Sequence, residues 1–262
     1  MVLPLMPEFI SPQDGAEKQD CERNAAKRWL IAHAKRMAGL RPVHLGDALF
    51  SCQPLAEAVL ATGADFLFVC KKDSHKTLYE FLDGALPDEL RITERKPGKH
   101  SMTYRYRWVE GLPLRDGKNA LAVNWLAVSI IDAKGKTTYD GAFVTSLPLT
   151  ADNVVEVAAC TRARWKIENE SFNVLKNNGY NLAHNFGHGK KYLARIFATM
   201  NLLAFAFHTA NDCLEILWQQ AREAKGTRTR FFEHIRTISA YFVFPSWESL
   251  MNTLISCNAP PT

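Results

Sequence analysis

Between Arg164 and Gly189 the chain reads RWKIENESFNVLKNNGYNLAHNFGHG, and side chains able to do chemistry crowd together there. Two carboxylates, Glu168 and Glu170, stand close to Arg164, which precedes Glu168 by four residues and so shares one side of a helix with it. Lys176 follows, then a polar, glycine-spaced turn, His184-Asn185-Phe186-Gly187-His188-Gly189, which runs into Lys190 and Lys191. Acids suited to a hard cation, beside cations suited to phosphate oxygens, fit a metal site acting on a polyanion. The plainer reading of the same letters is an ordinary helix with a solvated charged edge. His184 and His188 are four apart, but the intervening Asn-Phe-Gly forms turns rather than helix, which speaks against a zinc pair. One more acid, Asp47, closes a short strand-like segment, and taken alone an aspartate there is a turn former or a helix cap.

The elements that must position these groups are of α/β type. From Arg164 onward, Trp165, Phe172 and Leu175 fall at helical spacing with Ile167 and Val174 beside them, so a broad apolar stripe is expected to face inward. Asn177-Asn178-Gly179 ends that helix, because glycine accepts the left-handed conformation. Upstream, 20–37 is expected to be a helix capped by Asp20 and stopped by Gly39. Val43 and Leu45 alternate with polar neighbours as a short strand that Gly46-Asp47 ends, and Pro54 opens a helix closed at Gly63. Residues 65–70 form a near-continuous apolar run, as in a strand buried on both faces, and 76–82 turns helical again. This strand–helix–strand–helix grammar gathers functional groups at the carboxyl ends of strands, where Asp47 sits.

From 91 to 149 the pattern changes. Met102, Tyr104, Tyr106 and Trp108 alternate with Thr103, Arg105, Arg107 and Val109, as in a half-buried antiparallel strand whose aromatic-basic alternation serves either DNA or the core. Further strands are expected at 120–131 and 137–147, joined through Lys134-Gly135-Lys136. Downstream, 191–222 reads as one apolar core helix punctuated by charges. Residues 225–236 are basic around Phe231 and Phe232, open to phosphate contact or to simple solvation, and the segment after Ser246 is expected to be loosely ordered.

Composition narrows the classes. A chain of 262 residues, 47% hydrophobic and 23% charged, has the make-up of a soluble globular protein. No uninterrupted apolar run approaches the roughly 18 residues a bilayer requires, and the proline-rich start MVLPLMPEFISPQDG lacks the basic opening of a signal peptide, so no membrane is expected. Six scattered cysteines without a C-x-x-C pair suggest reduced thiols in a cytoplasmic setting. Net charge is +5, and it is concentrated: residues 160–236 carry 12 Lys plus Arg against 6 Asp plus Glu, while the preceding 159 carry 20 of each. That bias suits a polyanionic partner as well as a solubilising surface. No glycine-rich phosphate loop and no G-x-S-x-G elbow occur, which disfavours nucleotide hydrolysis and serine hydrolysis.

The string R-W-x-I-E at 164–168, F-x-x-L-K at 172–176 and the H-N-F-G-H-G turn at 184–189 together resemble the C-terminal signature of bacterial insertion-sequence transposases of the DDE type. In the subgroup marked by Tyr, Arg, Glu and Lys, the Arg stands four residues before the catalytic Glu, as Arg164 stands before Glu168. The signature Tyr position is Thr161 here, and the Lys position falls on Leu175 with Lys176 next, so Glu170 remains a rival to Glu168. G-D-A-L-F-S at 46–51 resembles the segment carrying the family's second catalytic Asp, which assigns that role to Asp47. The resemblance implies an α/β, ribonuclease H-like catalytic core: a partial core at 1–90, an antiparallel β insertion at 91–150, the helical C-terminal part of the core at 151–245 and a tail at 246–262. It further implies Mg²⁺ (or Mn²⁺) held by Asp47 and Glu168, in a site where two ions stand about 4 Å apart. Arg164, Lys176, His184, His188, Lys190 and Lys191 would contact double-stranded DNA, both transposon ends and target, with a homodimer on the DNA as a further expectation.

The family's first catalytic Asp lies on an earlier strand, yet before Asp47 this sequence offers only Asp14 and Asp20, neither after an apolar strand. On the resemblance, then, the sequence is expected to begin downstream of that strand and to be a poorly active fragment. A non-catalytic DNA-binding remnant and a metal-dependent nuclease of the same fold are the alternatives.

Overall fold

The computed structural model describes residues 2–10, 20–95, 101–185, 187 and 189–257. The chain divides into two compact units, one of Glu8–Arg164 and one of Trp165–Thr262 with Met1–Pro7.

In the Glu8–Arg164 unit, strands β1 (Val43–Gly46) and β2 (Asp65–Val69) run parallel, joined through helix α2 (Gln53–Leu60), which carries Pro54 in its first turn where a missing N–H costs nothing. Helix α1 (Glu22–Met37) precedes β1, and α3 (Lys76–Asp83) follows β2. Strands β3 (Asp88–Glu94), β4 (Met102–Pro113), β5 (Ala122–Asp132) and β6 (Thr137–Thr145) form an antiparallel meander. β6 then pairs with β2, so all six strands make one mixed sheet in the order β1-β2-β6-β5-β4-β3. The fold is mixed α/β. The strands expected as an inserted block are thus hydrogen-bonded into the same layer as the parallel pair. β2 explains why: apolar on both faces, it needs a neighbour on each edge, and β6 supplies the second.

Both faces of the sheet are covered. Phe66, Phe68, Trp125 and Val144 pack under Leu30 of α1, Leu55, Ala56 and Val59 of α2, and Leu78 of α3. On the other face Leu67, Tyr106, Trp108, Leu126 and Phe143 meet Val154, Val157 and Ala158 of α4 (Val154–Ala163). The alternation in β4 therefore resolves as core: Tyr106 and Trp108 are buried, while Arg105 donates to Glu89 Oε2 at 2.7 Å. Each such large apolar side chain contributes on the order of 2 kcal/mol through burial.

One expected cap is corrected. Asp20 is buried and does not cap α1, whose N-cap residue is Cys21 without a side-chain bond. Arg28 grips both Asp20 oxygens instead, at 2.9 and 2.8 Å, and a bidentate guanidinium satisfies a carboxylate better than one backbone N–H.

The other unit is helical among its described residues: a π-helical segment (Ile167–Phe172), α5 (Asn173–Asn177), α6 (Leu193–Leu214), α7 (Ile216–Lys225), α8 (Arg228–Tyr241) and α9 (Trp247–Ser256). Three expectations change here. The helix read as continuous over 191–222 breaks at Glu215, whose backbone is extended and whose carboxylate caps α7 by accepting from Leu217 N and Trp218 N. The segment after Ser246, expected to be loose, forms α9, capped by Ser246 Oγ and packed through Met251 and Leu254 onto Trp218, Ala221 and Phe231. Finally, α6 is no core helix. Phe205 and Thr209 are its buried residues, while Ile196, Met200, Leu203 and Phe207 stand more than half exposed. By length and composition α6 is the one described helix that meets the requirement for crossing a membrane, which on its own is weak evidence for a membrane.

Candidate functional site

The first acid sits where β1 ends. Gly46 closes that strand against Phe68 and Phe50, so tightly that a Cβ there would lie 2.7 Å from Phe68 Cδ1 and 2.8 Å from Phe50 Cβ. The chain then turns, with Phe50 N donating to Asp47 O at 3.1 Å and Leu49 N donating to Asp47 Oδ1 at 2.9 Å. Asp47 is exposed and makes this turn with one oxygen. Among the described residues its Oδ2 has no partner. The turn-former reading and the functional one are therefore compatible, since the bond that makes the turn also fixes the direction of the carboxylate.

A buried pair that the sequence did not single out supports this turn. The His75 ring, 4% exposed, lies between the loop after β1 and the loop after β2. Its Nε2 is 3.0 Å from Ser51 Oγ and 2.9 Å from Ser51 O, and its Nδ1 is 3.2 Å from Lys71 O. With the hydrogen on Nδ1 the ring donates to Lys71 O while Nε2 accepts from Ser51 Oγ, and in that tautomer it bridges both loops. Arg23 Nε adds a bond to Leu49 O at 2.8 Å. The signal was there, as a run of polar residues, Lys71-Lys72-Asp73-Ser74-His75, one residue after the strand that ends at Val69. His75→Ala is expected to lower stability by about 2 kcal/mol, the usual cost of leaving a buried hydrogen-bond partner unsatisfied. Urea unfolding measures this, and a loss below about 0.5 kcal/mol would deny the bridge any weight. Nearby Cys70 is no nucleophile at neutral pH, because burial pushes its thiol up to about 12, against a smaller lowering by Tyr79.

The other acids lie on the π segment. Glu168 is half-buried, and Glu170 is exposed and 3.8 Å from Lys166, an ion pair of little energetic weight. The π turn also corrects the expected stripe. Widening the helix to an i→i+5 pattern shifts the phase of every later residue, so α-helical spacing no longer selects one face. Leu175 is fully buried, but Trp165, Ile167 and Phe172 are 49%, 50% and 42% exposed. Leu175 packs with Tyr180 and Phe205, so the position seven residues after Glu168 is a core position and the exposed cation is Lys176. At the signature Tyr position, Thr161 is buried and donates to Ala158 O at 2.7 Å within α4.

Arg164 is half-buried at the C-cap of α4. His184, Lys190 and Lys191 are exposed around the turn before α6, and His188 lies outside the described residues. Gly189 is required there: with φ at 62°, a Cβ would stand 2.6 Å from Leu193 Cβ. Beside the turn, His184, Asn185, Phe197 and Asn201 help line a cavity of about 150 Å³. Two further cations are claimed by the fold, contrary to a free phosphate-binding stretch at 225–236: Lys225 donates to Cys257 O at 3.0 Å and Arg228 to Asp212 Oδ2 at 2.6 Å. In the Trp165–Thr262 unit, then, Glu168, Glu170 and Lys176 share one short helical stretch, and Asp47 and Arg164 belong to the Glu8–Arg164 unit. Among the described residues no three His, Cys, Asp or Glu side chains are grouped as a metal site. Compared with models of protein families and with curated proteins, the chain matches none.

Proposed function

We propose that this chain is a DDE-type DNA transposase with a ribonuclease H-like core, acting on insertion-sequence ends by metal-dependent cleavage and strand transfer. The observation that carries the reading is Asp47: an exposed carboxylate, oriented by its own turn, at the carboxyl end of a parallel strand and within G-D-A-L-F-S. The parallel pair, the antiparallel strands beside it and helices on both faces are compatible with that core. As a hard-cation ligand Asp47 fits through its Oδ2. Glu168 is the preferred second acid, because a half-buried side chain loses less freedom on binding than exposed Glu170. Bound Mg²⁺ or Mn²⁺ would supply charge relief at phosphorus and a nucleophilic oxygen. Lys176, His184, Lys190 and Lys191 neutralise phosphates of double-stranded DNA, and Arg164 grips one in bidentate fashion. Two copies of the chain on one DNA complex complete the reading.

A second reading, DNA binding without catalysis, has its own observation. Asp20 is locked to Arg28, so recruiting it as a third acid would break a bidentate pair. The test offers the full chain a labelled duplex and a supercoiled plasmid, each with Mg²⁺ or Mn²⁺. Metal-dependent nicking that disappears in Asp47→Asn and Glu168→Gln, with duplex binding retained, supports the transposase. Loss in Glu170→Gln instead moves the second acid there. Binding without nicking supports the non-catalytic reading, and failure to bind DNA at low salt sinks both.

A further inference from the structure

The loop after β2 reads Cys70-Lys71-Lys72-Asp73-Ser74-His75-Lys76, three cations against one acid, and all three lysines are exposed. No part of the transposase signature includes them. β1 and β2 are paired in parallel up to Gly46↔Phe68, so this loop and the turn of Asp47 leave the same edge of the sheet side by side. His75 binds the Lys71 carbonyl and Ser51 together, so the lysine-bearing backbone is fastened to the turn that aims Asp47. The lysine side chains are not consumed by the fold. Among the described residues Lys71 and Lys76 have no ion-pair partner, and Lys72 Nζ only lies over the Tyr79 ring, 6.0 Å from its centroid. An ammonium group on a fixed backbone, with no carboxylate to give up, loses little on meeting a phosphate.

We propose that the Lys71–Lys76 loop is a DNA-backbone contact of the Glu8–Arg164 unit, its ammonium groups holding phosphates beside Asp47. This rests on the DNA reading above and adds a second basic surface to the one around Lys176 and Lys190. The position is chemically apt, because a carboxylate alone repels a phosphodiester, whereas fixed cations next to it offset that repulsion.

The test compares two charge-matched variants of the full chain binding one random-sequence duplex over a range of salt. Lys71→Gln/Lys76→Gln alters the proposed contact. Lys35→Gln/Arg36→Gln removes two exposed charges from the last turn of α1, which leads into the opposite, amino end of β1. Every phosphate that a cation ceases to neutralise lowers the slope of log K against log salt by about 0.9, so the first variant is expected to flatten it by about 2 and the second to leave it unchanged. Equal slopes for the two variants, with the unaltered chain binding DNA normally, would overturn the loop contact alone. Failure of the unaltered chain to bind DNA would overturn the DNA reading and this contact with it. All four substitutions are on exposed side chains, so unchanged urea midpoints confirm that folding is not what is being measured.

Discussion

Asp212→Ala is expected to cost the Trp165–Thr262 unit about 3–5 kcal/mol, the range seen when a partly buried charge loses its partner. Asp212 sits near the end of α6 and accepts from three directions. Trp218 Nε1 donates to Oδ1 at 2.6 Å, Arg228 donates to Oδ2 at 2.6 Å, and Arg222 Nε stands 3.4 Å from Oδ1. Trp218 is 1% exposed at the centre of the cluster formed with Phe231, Met251 and Leu254, so its indole N–H has no water to turn to. Removing the carboxylate would leave that donor and two guanidinium groups without their acceptor, in a place where Arg222 Nη1 is already buried with no hydrogen-bond partner among the described residues. Asp212→Asn keeps one acceptor for Trp218 but surrenders the charge, and should cost about half as much. Urea unfolding followed by tryptophan fluorescence reads the loss, since Trp218 stacks on Trp247 at 5.8 Å. An Asp212→Ala loss below about 1 kcal/mol would mean that the two arginines are solvated rather than held.

The size of that expectation depends on contacts that no local pattern announces, and the same division runs through the whole chain. β2 was legible because five residues, Asp65–Val69, are enough to show apolar side chains on both faces, and β4 was legible from strict alternation. α1 was legible but its cap was not. An aspartate before a helix looks the same in sequence whether it meets the helix N–H groups or, as Asp20 does, an arginine eight residues on. The break at Glu215 was hidden because Leu214, Ile216 and Leu217 carry the apolar pattern straight across it. α9 was hidden because ten residues beside a proline-rich end look like a frayed tail, although Ser246 and the Leu250-Met251-Leu254 spacing gave the cap and the face. The π segment could not be read at all, since a change of hydrogen-bond pattern leaves the letters untouched while putting buried Leu175 out of phase with exposed Trp165 and Phe172.

The candidate site divides the same way. Asp47 was visible as an acid at a strand end, and its turn bond to Leu49 followed from residue type. The Ser51–His75 bridge was not visible, because it joins residues 24 apart that meet only once β1 and β2 are parallel and in register. Local chemistry is written locally, whereas the support behind it is a product of topology.

Acidification is expected to destabilise the Trp165–Thr262 unit between about pH 6.5 and pH 4, through His208. Burial, and then the positive charge of Arg228, push its imidazole down to about 4, while Asp212 works in the opposite direction and Arg222 adds to the lowering. Hydrogen bonding agrees with a neutral ring. Arg228 Nη1 donates to the Tyr180 hydroxyl oxygen at 3.3 Å, and a neutral His208 with its hydrogen on Nε2 accepts the hydroxyl proton on Nδ1 at 2.7 Å. The ring also stacks on Trp218 at 5.2 Å, an apolar contact that offers nothing to a cation's lost hydration shell except the aromatic face. Above pH 6.5 the imidazole is neutral folded and unfolded, and it contributes no pH dependence. As pH falls below that value the unfolded chain takes up a proton that the folded one refuses, so stability declines until the folded imidazole is itself protonated near pH 4. The full shift would correspond to about 3 kcal/mol, and allowing for solvent reaching a half-buried ring leaves about 2. His208→Phe fills the same space without titrating, so its urea midpoint should be lower at neutral pH, where Tyr180 has lost its acceptor, but flatter through the acid range. If the variant and the unaltered chain lose stability in parallel from pH 6.5 to pH 4, His208 is not the group that makes this unit acid-sensitive.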